Sequence, residues 1–155
     1  MAKKAILHPQ EIEVYYIIPT LRRALAGCLA QQGMKQKDIA TLLGINTAAI
    51  SQYRSNKRGN QVTFSMEIQR EIQKSAVLIK DKLSYFRETQ RLLRHIRTTN
   101  TLCQIHKQFT AIPEGCDPEH IGCHLMPLTS STISLIPPIT PLAVLSVPLT
   151  PETKT

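Results

Sequence analysis

Apolar residues recur at spacings of three and four through most of the first hundred positions, which is the period of helices that bury one face. Between Glu11 and Gln32 the stripe is Ile17, Ile18, Leu21, Leu25 and Leu29. Pro19 falls inside it, so the helix is expected either to begin near Pro19, where a first-turn proline is tolerated, or to kink there. Gly33 is a natural stop. Two short helical segments are predicted at 35–43 and 47–55, parted by Gly44-Ile45-Asn46. The polar loop Asn56-Lys57-Arg58-Gly59-Asn60 follows, then a short extended or irregular stretch to Phe64. From Ser65 to Arg97 the stripe returns as Ile68, Ile72, Leu78, Ile79, Leu83, Phe86, Leu92, Leu93 and Ile96. No Pro or Gly interrupts it, which leaves one long helix or two. Thr98 to Thr101 is a polar stop.

The pattern changes twice after that. Residues 103–124 bring three of the four Cys and three of the five His, and residues 125–155 hold six of the ten Pro. Prolines at that density block helix and central strand, so a disordered or loosely packed tail is expected. The expectation is an all-α fold in four stretches. They are a helix-turn-helix domain over 8–64, a helical core or dimerisation segment over 65–100, a Cys/His knot over 101–124 and a Pro-rich tail over 125–155.

Composition narrows this. A chain of 155 residues is one domain with a short appendage. Hydrophobic residues at 42% support a modest core, and aromatics at 5% with no Trp make it aliphatic. Six Gly are too few for a many-turned β sandwich or barrel, and four Cys too few for a small secreted disulfide scaffold. No apolar run is long enough for a spanning helix. The apolar stretch near the N-terminus is too short for a signal peptide. A soluble cytoplasmic protein with reduced thiols is expected. The net charge is +8, and it is uneven: residues 1–64 carry nine Lys/Arg against three acidic residues, whereas 65–124 carry nine against seven. The excess lies where a polyanion would bind.

The stretch Gln36 to Ser55 carries the most chemistry. Two short helices crossing steeply need a small residue where their backbones meet, and Ala40 supplies it. The turn between them needs a residue tolerant of positive φ, and Gly44 is one. Ile39, Leu43, Ile45, Ile50 and Tyr53 supply a shared core, and Asn46 or Thr47 caps the second helix. This pattern resembles the helix-turn-helix of the lambda-repressor-like, or XRE, family of DNA-binding proteins. The resemblance implies that the helix from Thr47 to Ser55 enters the major groove. Its outward positions would be Asn46, Thr47, Ala48, Ser51, Gln52 and Ser55. Gln52 can pair bidentately with adenine, and the Ala48 methyl can touch a thymine methyl. Gln36 would lie near a phosphate. Arg54, Lys57 and Arg58 would hold backbone phosphates. A plain helical hairpin that binds no DNA is the alternative. Lys35 stands where the family often has Ser or Thr, so that helix loses its cap.

A wider resemblance rests on Pro9-Gln-Glu-Ile-Glu-Val-Tyr-Tyr-Ile-Ile-Pro19, on Phe64 to Ala76, and on Leu102-Cys103-Gln-Ile-His106 with Gly115-Cys116. Over residues 8–117 the chain looks like a family of predicted transcriptional regulators widespread in archaea and found in some bacteria. It implies a helix-turn-helix domain, a helical segment and a small Cys/His knot. Where that family has a second cysteine three residues on, this chain has Glu119, and its next cysteine is Cys123.

Cys103, His106, Cys116 and Cys123 form the candidate metal set. Three thiolates and an imidazole suit tetrahedral zinc. Three cysteines with one further ligand also suit an iron–sulfur cluster. Three reduced cysteines with no metal is the remaining option. His120, His124, Asp117 and Glu119 are rival ligands. Cys28 reads as a small core residue. The cluster's position after the DNA-binding part suggests a redox- or metal-responsive role.

The expected function is a sequence-specific regulator binding double-stranded DNA as a homodimer, with no membrane partner. An antitoxin-like interaction protein, binding DNA and holding a protein partner through its C-terminal half, is the alternative. No nucleotide loop, catalytic triad or paired carboxylates point to an enzyme.

Overall fold

The computed structural model describes residues 6–123, and every element among them is helical. The tail expected over 125–155 lies outside the described residues, as do His124, Lys3 and Lys4.

The N-terminal stripe forms one helical run in three parts: α1 (Pro9–Ile12), a π-helical segment (Glu13–Ile17) and α2 (Ile18–Gln31). Pro19 falls in the first turn of α2, one of the two outcomes expected for it, while the helical run extends before it. Inside a regular helix a proline lacks a donor, and its ring collides with the carbonyl four residues back. The π segment absorbs the mismatch by adding one residue to the turn. The Ile18 N–H donates to the Glu13 carbonyl, five residues back. The Thr20 hydroxyl donates to the Tyr16 carbonyl at 2.7 Å. The apolar stripe therefore continues across the bulge as Ile12, Ile17, Leu21, Leu25 and Leu29, all fully buried. Gly33 ends the run at φ +88°, and the Met34 N–H bonds back to the Leu29 carbonyl.

Next come α3 (Gln36–Leu43) and α4 (Thr47–Arg54), both packed on α2. The long stripe after Ser65 resolves into two helices, α5 (Met66–Leu78) and α6 (Lys82–Thr98). The break needs no Pro or Gly because Asp81 makes it. Its carboxylate accepts from the Ser84 N–H at 2.7 Å, while the Ser84 hydroxyl receives the Asp81 N–H at 2.9 Å. This reciprocal cap starts α6 and turns the chain back along α5. Ile79, extended at the break, still points into the core.

Across the hairpin, Arg91 of α6 reaches Glu71 at 2.7 Å, Glu88 at 3.0 Å and the Ser75 hydroxyl at 2.7 Å. Glu88 is buried and also accepts from the Ser75 hydroxyl at 3.0 Å. Burying that carboxylate opposes its ionisation, but the bonds from Arg91 and Ser75 outweigh the penalty and hold it below the usual carboxylate range.

Residues 101–109, expected to open a separate Cys/His knot, form helix α7 (Thr101–Phe109) instead. Its Leu102 and Ile105 belong to the same core cluster as α2 and α6. A short α8 (Pro118–Ile121) follows. The ring of Phe109 stacks on Tyr16 with centroids 4.1 Å apart. The two carboxylate oxygens of the buried Glu13 accept from Nε and Nη2 of Arg97, tying the π segment to the end of α6. One continuous, mainly aliphatic cluster of side chains thus runs from Ile12 to Ile105. At about 1.5–3 kcal/mol per fully buried Leu or Ile, it is the main favourable term. Among the described residues, no helix is long and apolar enough to cross a membrane.

Candidate nucleic-acid interface

Helices α3 and α4 meet over buried Ile39, Ala40, Leu43, Ile50 and Tyr53. Gly44 takes φ +65°, and the Ile45 N–H returns to the Ala40 carbonyl at 2.9 Å, so the turn is closed by the glycine the crossing requires. Lys35 begins α3 with no side-chain cap. Asn46 caps α4, its side chain accepting from the Ala49 N–H at 2.7 Å. Ile50, Tyr53 and Ala49 anchor the inner side of α4. Asn46, Thr47, Ala48, Ser51, Gln52 and Ser55 are all exposed on its outer side.

These outward groups differ in availability. The Gln36 side-chain amide donates to the Thr47 carbonyl at 3.0 Å and to the Ser51 hydroxyl at 2.8 Å. It therefore acts as a clasp between α3 and α4, and part of the Ser51 hydroxyl's capacity is spent on that clasp. The Ser55 hydroxyl turns back to the Gln52 carbonyl at 3.3 Å. The Gln52 side chain makes no hydrogen bond among the described residues and presents a whole amide outward.

Charge around this face is one-sided. Between residues 14 and 66 the sole carboxylate is Asp38. Arg22, Arg23, Lys35, Lys37, Arg54, Lys57 and Arg58 have no carboxylate partner among the described residues. The ion pairs fall elsewhere, on Glu13, Glu67, Glu71, Glu88 and Asp117. Of the cations of the earlier helices, Lys35, Lys37, Arg54, Lys57 and Arg58 are exposed, whereas Arg22 and Arg23 are half-buried. Arg54, Lys57 and Arg58 are exposed at the end of α4, and the Arg58 guanidinium lies 5.9 Å from the centroid of the Tyr53 ring.

The turn bearing Lys57 and Arg58 is wired closely. Asn56 takes φ +59°, the Lys57 N–H returns to the Gln52 carbonyl at 2.9 Å, and the Asn60 amide donates to the Asn56 carbonyl at 2.9 Å. Arg23, on α2, donates to the Tyr53 carbonyl at 3.3 Å. Reading the sequence did not single Arg23 out. The one available signal was an Arg22-Arg23 pair standing in an otherwise aliphatic helix.

Among the described residues, no three of the His, Cys, Asp and Glu side chains are gathered so as to hold a metal ion. The Cys103, Cys116 and Cys123 thiols are nevertheless near enough to act on one another electrostatically. His106 has a structural task. It is buried, with its Nε2 bonded at 2.7 Å to the Leu7 carbonyl, while the Thr110 hydroxyl receives the Leu7 N–H at 2.9 Å. His106 and Thr110 thus pin the N-terminal segment to α7. Of the rival ligands, His120 is paired with Asp117 at 2.8 Å. Burial, followed by the neighbouring Cys116 and Cys103 thiols, pushes the Cys123 thiol up. Cys28 is half-buried against the core, as expected of a small apolar residue, and burial pushes its thiol up too.

No family model, no curated protein and no solved structure matches this chain.

Proposed function

We propose that this chain is a sequence-specific regulator of transcription that binds double-stranded DNA with a lambda-repressor-like helix-turn-helix. The observation that carries this reading is the pairing of shape with charge. Helix α4 stands on Ile50 and Tyr53 with its polar side open, and the exposed Arg54, Lys57 and Arg58 at its end lack carboxylate partners. In this reading α4 lies in the major groove, and Gln52 reads an adenine through its N6 and N7 edge. Ala48, Thr47 and Asn46 flank it. Arg54, Lys57 and Arg58 grip the phosphates and set affinity and register without choosing sequence. Gln36 serves this face by bracing Ser51 and Thr47. The protein then acts in the cytoplasm, where the DNA of a cell without a nucleus lies.

The test is recovery of bound genomic DNA, followed by affinity measurements on the recovered site. Gln52→Ala is expected to cost about 1–3 kcal/mol on that site and to relax the choice of base at one position. Unchanged base preference in that variant would mean another side of α4 meets the bases.

One module of this size reads few base pairs, and a pair of them reads two half-sites one helical turn apart. The dimer surface in this proposal is the turn between α5 and α6, where Val77, Leu78, Leu83 and Phe86 are all more than half exposed. Light scattering at micromolar concentration should give twice 17.4 kDa, and Phe86→Glu should halve it. A wild-type monomer refutes the dimer. A different protein co-purifying in fixed ratio on this surface would favour the antitoxin-like alternative.

A further inference from the structure

The DNA reading assigns Lys57 and Arg58 to phosphates, yet exposed loop cations grip well only if the loop is held. A flexible loop must lose backbone freedom, at about 1–2 kcal/mol per residue, when it binds. The turn after α4 is instead seated on α2. Gly59 adopts φ +68°, and a Cβ placed there would lie 2.6 Å from the Pro19 carbonyl oxygen and 3.1 Å from the Arg23 Cβ. The main chain of the turn thus rests against α2 where only glycine fits. From the same ledge, Arg23 spans the turn. Its Nε donates to the Tyr53 carbonyl at 3.3 Å, and its Nη1 reaches the Gly59 carbonyl at 3.5 Å. One planar cation therefore bonds the last turn of α4 and the far end of the Asn56–Asn60 turn together. Lys57 and Arg58 lie between those two points.

We infer that Arg23 is a positioning residue for phosphate binding. Its guanidinium is spent on main-chain carbonyls within the protein, and its effect on DNA passes through the pose of Lys57 and Arg58. This rests on the DNA-binding reading. It separates from the ordinary role of a basic residue because geometry, and not charge, carries it. Lysine keeps the charge but cannot bond two carbonyls with one rigid fork.

The experiment titrates a fluorescein-labelled duplex of mixed sequence with wild type, Arg23→Lys, Arg23→Gln, Gly59→Ala and Arg58→Gln over a range of salt concentrations. Amide hydrogen exchange of the turn is measured in each free protein, and circular dichroism checks that each is folded. Arg23→Lys and Arg23→Gln are expected to weaken binding equally, by roughly three- to tenfold, the scale of one or two lost hydrogen bonds. Their slope of log affinity against log salt should match wild type, because no phosphate contact is removed. Arg58→Gln should flatten that slope by about 0.9. Faster exchange at Lys57 to Asn60 is expected in both Arg23 variants and in Gly59→Ala.

Wild-type affinity in Arg23→Lys, with a flattened slope in Arg23→Gln, would make Arg23 a phosphate ligand and overturn the inference. Loosened exchange with unchanged affinity would overturn the positioning role alone. A wild-type protein that binds no duplex, while the Arg23 variants still loosen the turn, would overturn the DNA reading and the inference that rests on it.

Discussion

Replacing Lys57 and Arg58 together with glutamine should reduce affinity for any duplex about a hundredfold at low salt and flatten the salt slope by about 1.8. The magnitude follows from two exposed cations, neither paired with a carboxylate, each displacing about one counterion. Base preference should stay as in wild type, because phosphate contacts position the protein and carry no sequence information. A fluorescence titration against the recovered site and a scrambled one checks both halves. Equal slopes in variant and wild type would show that the turn after α4 does not touch the duplex. A change of base preference would show that the groove-facing side has been misplaced.

Replacing Glu88 with alanine should lower the free energy of unfolding by about 2–4 kcal/mol, measured by urea denaturation. The Arg91 charge and the Ser75 hydroxyl would lose a partner in the seam between α5 and α6. Water reaching the Arg91 side chain sets the figure at the low end for a broken buried pair. Acid should act on the same seam. Bonds from Lys74 and then Arg91 lower the Glu71 carboxyl to about 2, and Glu88 is lowered as well. A carboxyl whose folded value is depressed stabilises the fold fully above its unfolded value, about 4.3. That contribution is lost as pH falls through the folded value. Stability should therefore begin to decline below about pH 4.3 and continue falling toward pH 2, with a shallower decline in Glu88→Ala. A wild-type stability flat across that range would exclude the carboxylates as contributors.

Much of the helical frame was legible in the sequence because its determinants are local. Gly33 and Gly44 sit where the chain needs positive φ, Asn46 caps its helix, and Ile39, Ile50 and Tyr53 fall on one face. What was missed depends on partners distant in sequence or on less familiar local chemistry. Pro19 does fall in the first turn of α2, as one reading expected, but the π segment before it leaves no mark in the apolar period. The break at Asp81 had a signal, Asp81 with Ser84 three residues on, but the uninterrupted stripe masked it. On the candidate interface, the exposed set on α4 followed from its period alone. The clasp of Gln36 onto Ser51 and the span of Arg23 needed coordinates, since each depends on how neighbouring helices cross. The bond from His106 to Leu7, almost a hundred positions away, likewise needed coordinates.

That tie between Leu7 and the His106–Thr110 pair has a consequence for biosynthesis. The partners of the first helical turns, namely Arg97 for Glu13, Phe109 for Tyr16 and both anchors of Leu7, are all translated more than eighty codons later. With elongation at about 5–20 residues per second, the segment from Leu7 to Tyr16 waits several seconds for its docking sites to be made. The α2–α4 module can condense first, and that segment must stay unclaimed by chaperones or neighbours until the ribosome has passed Thr110.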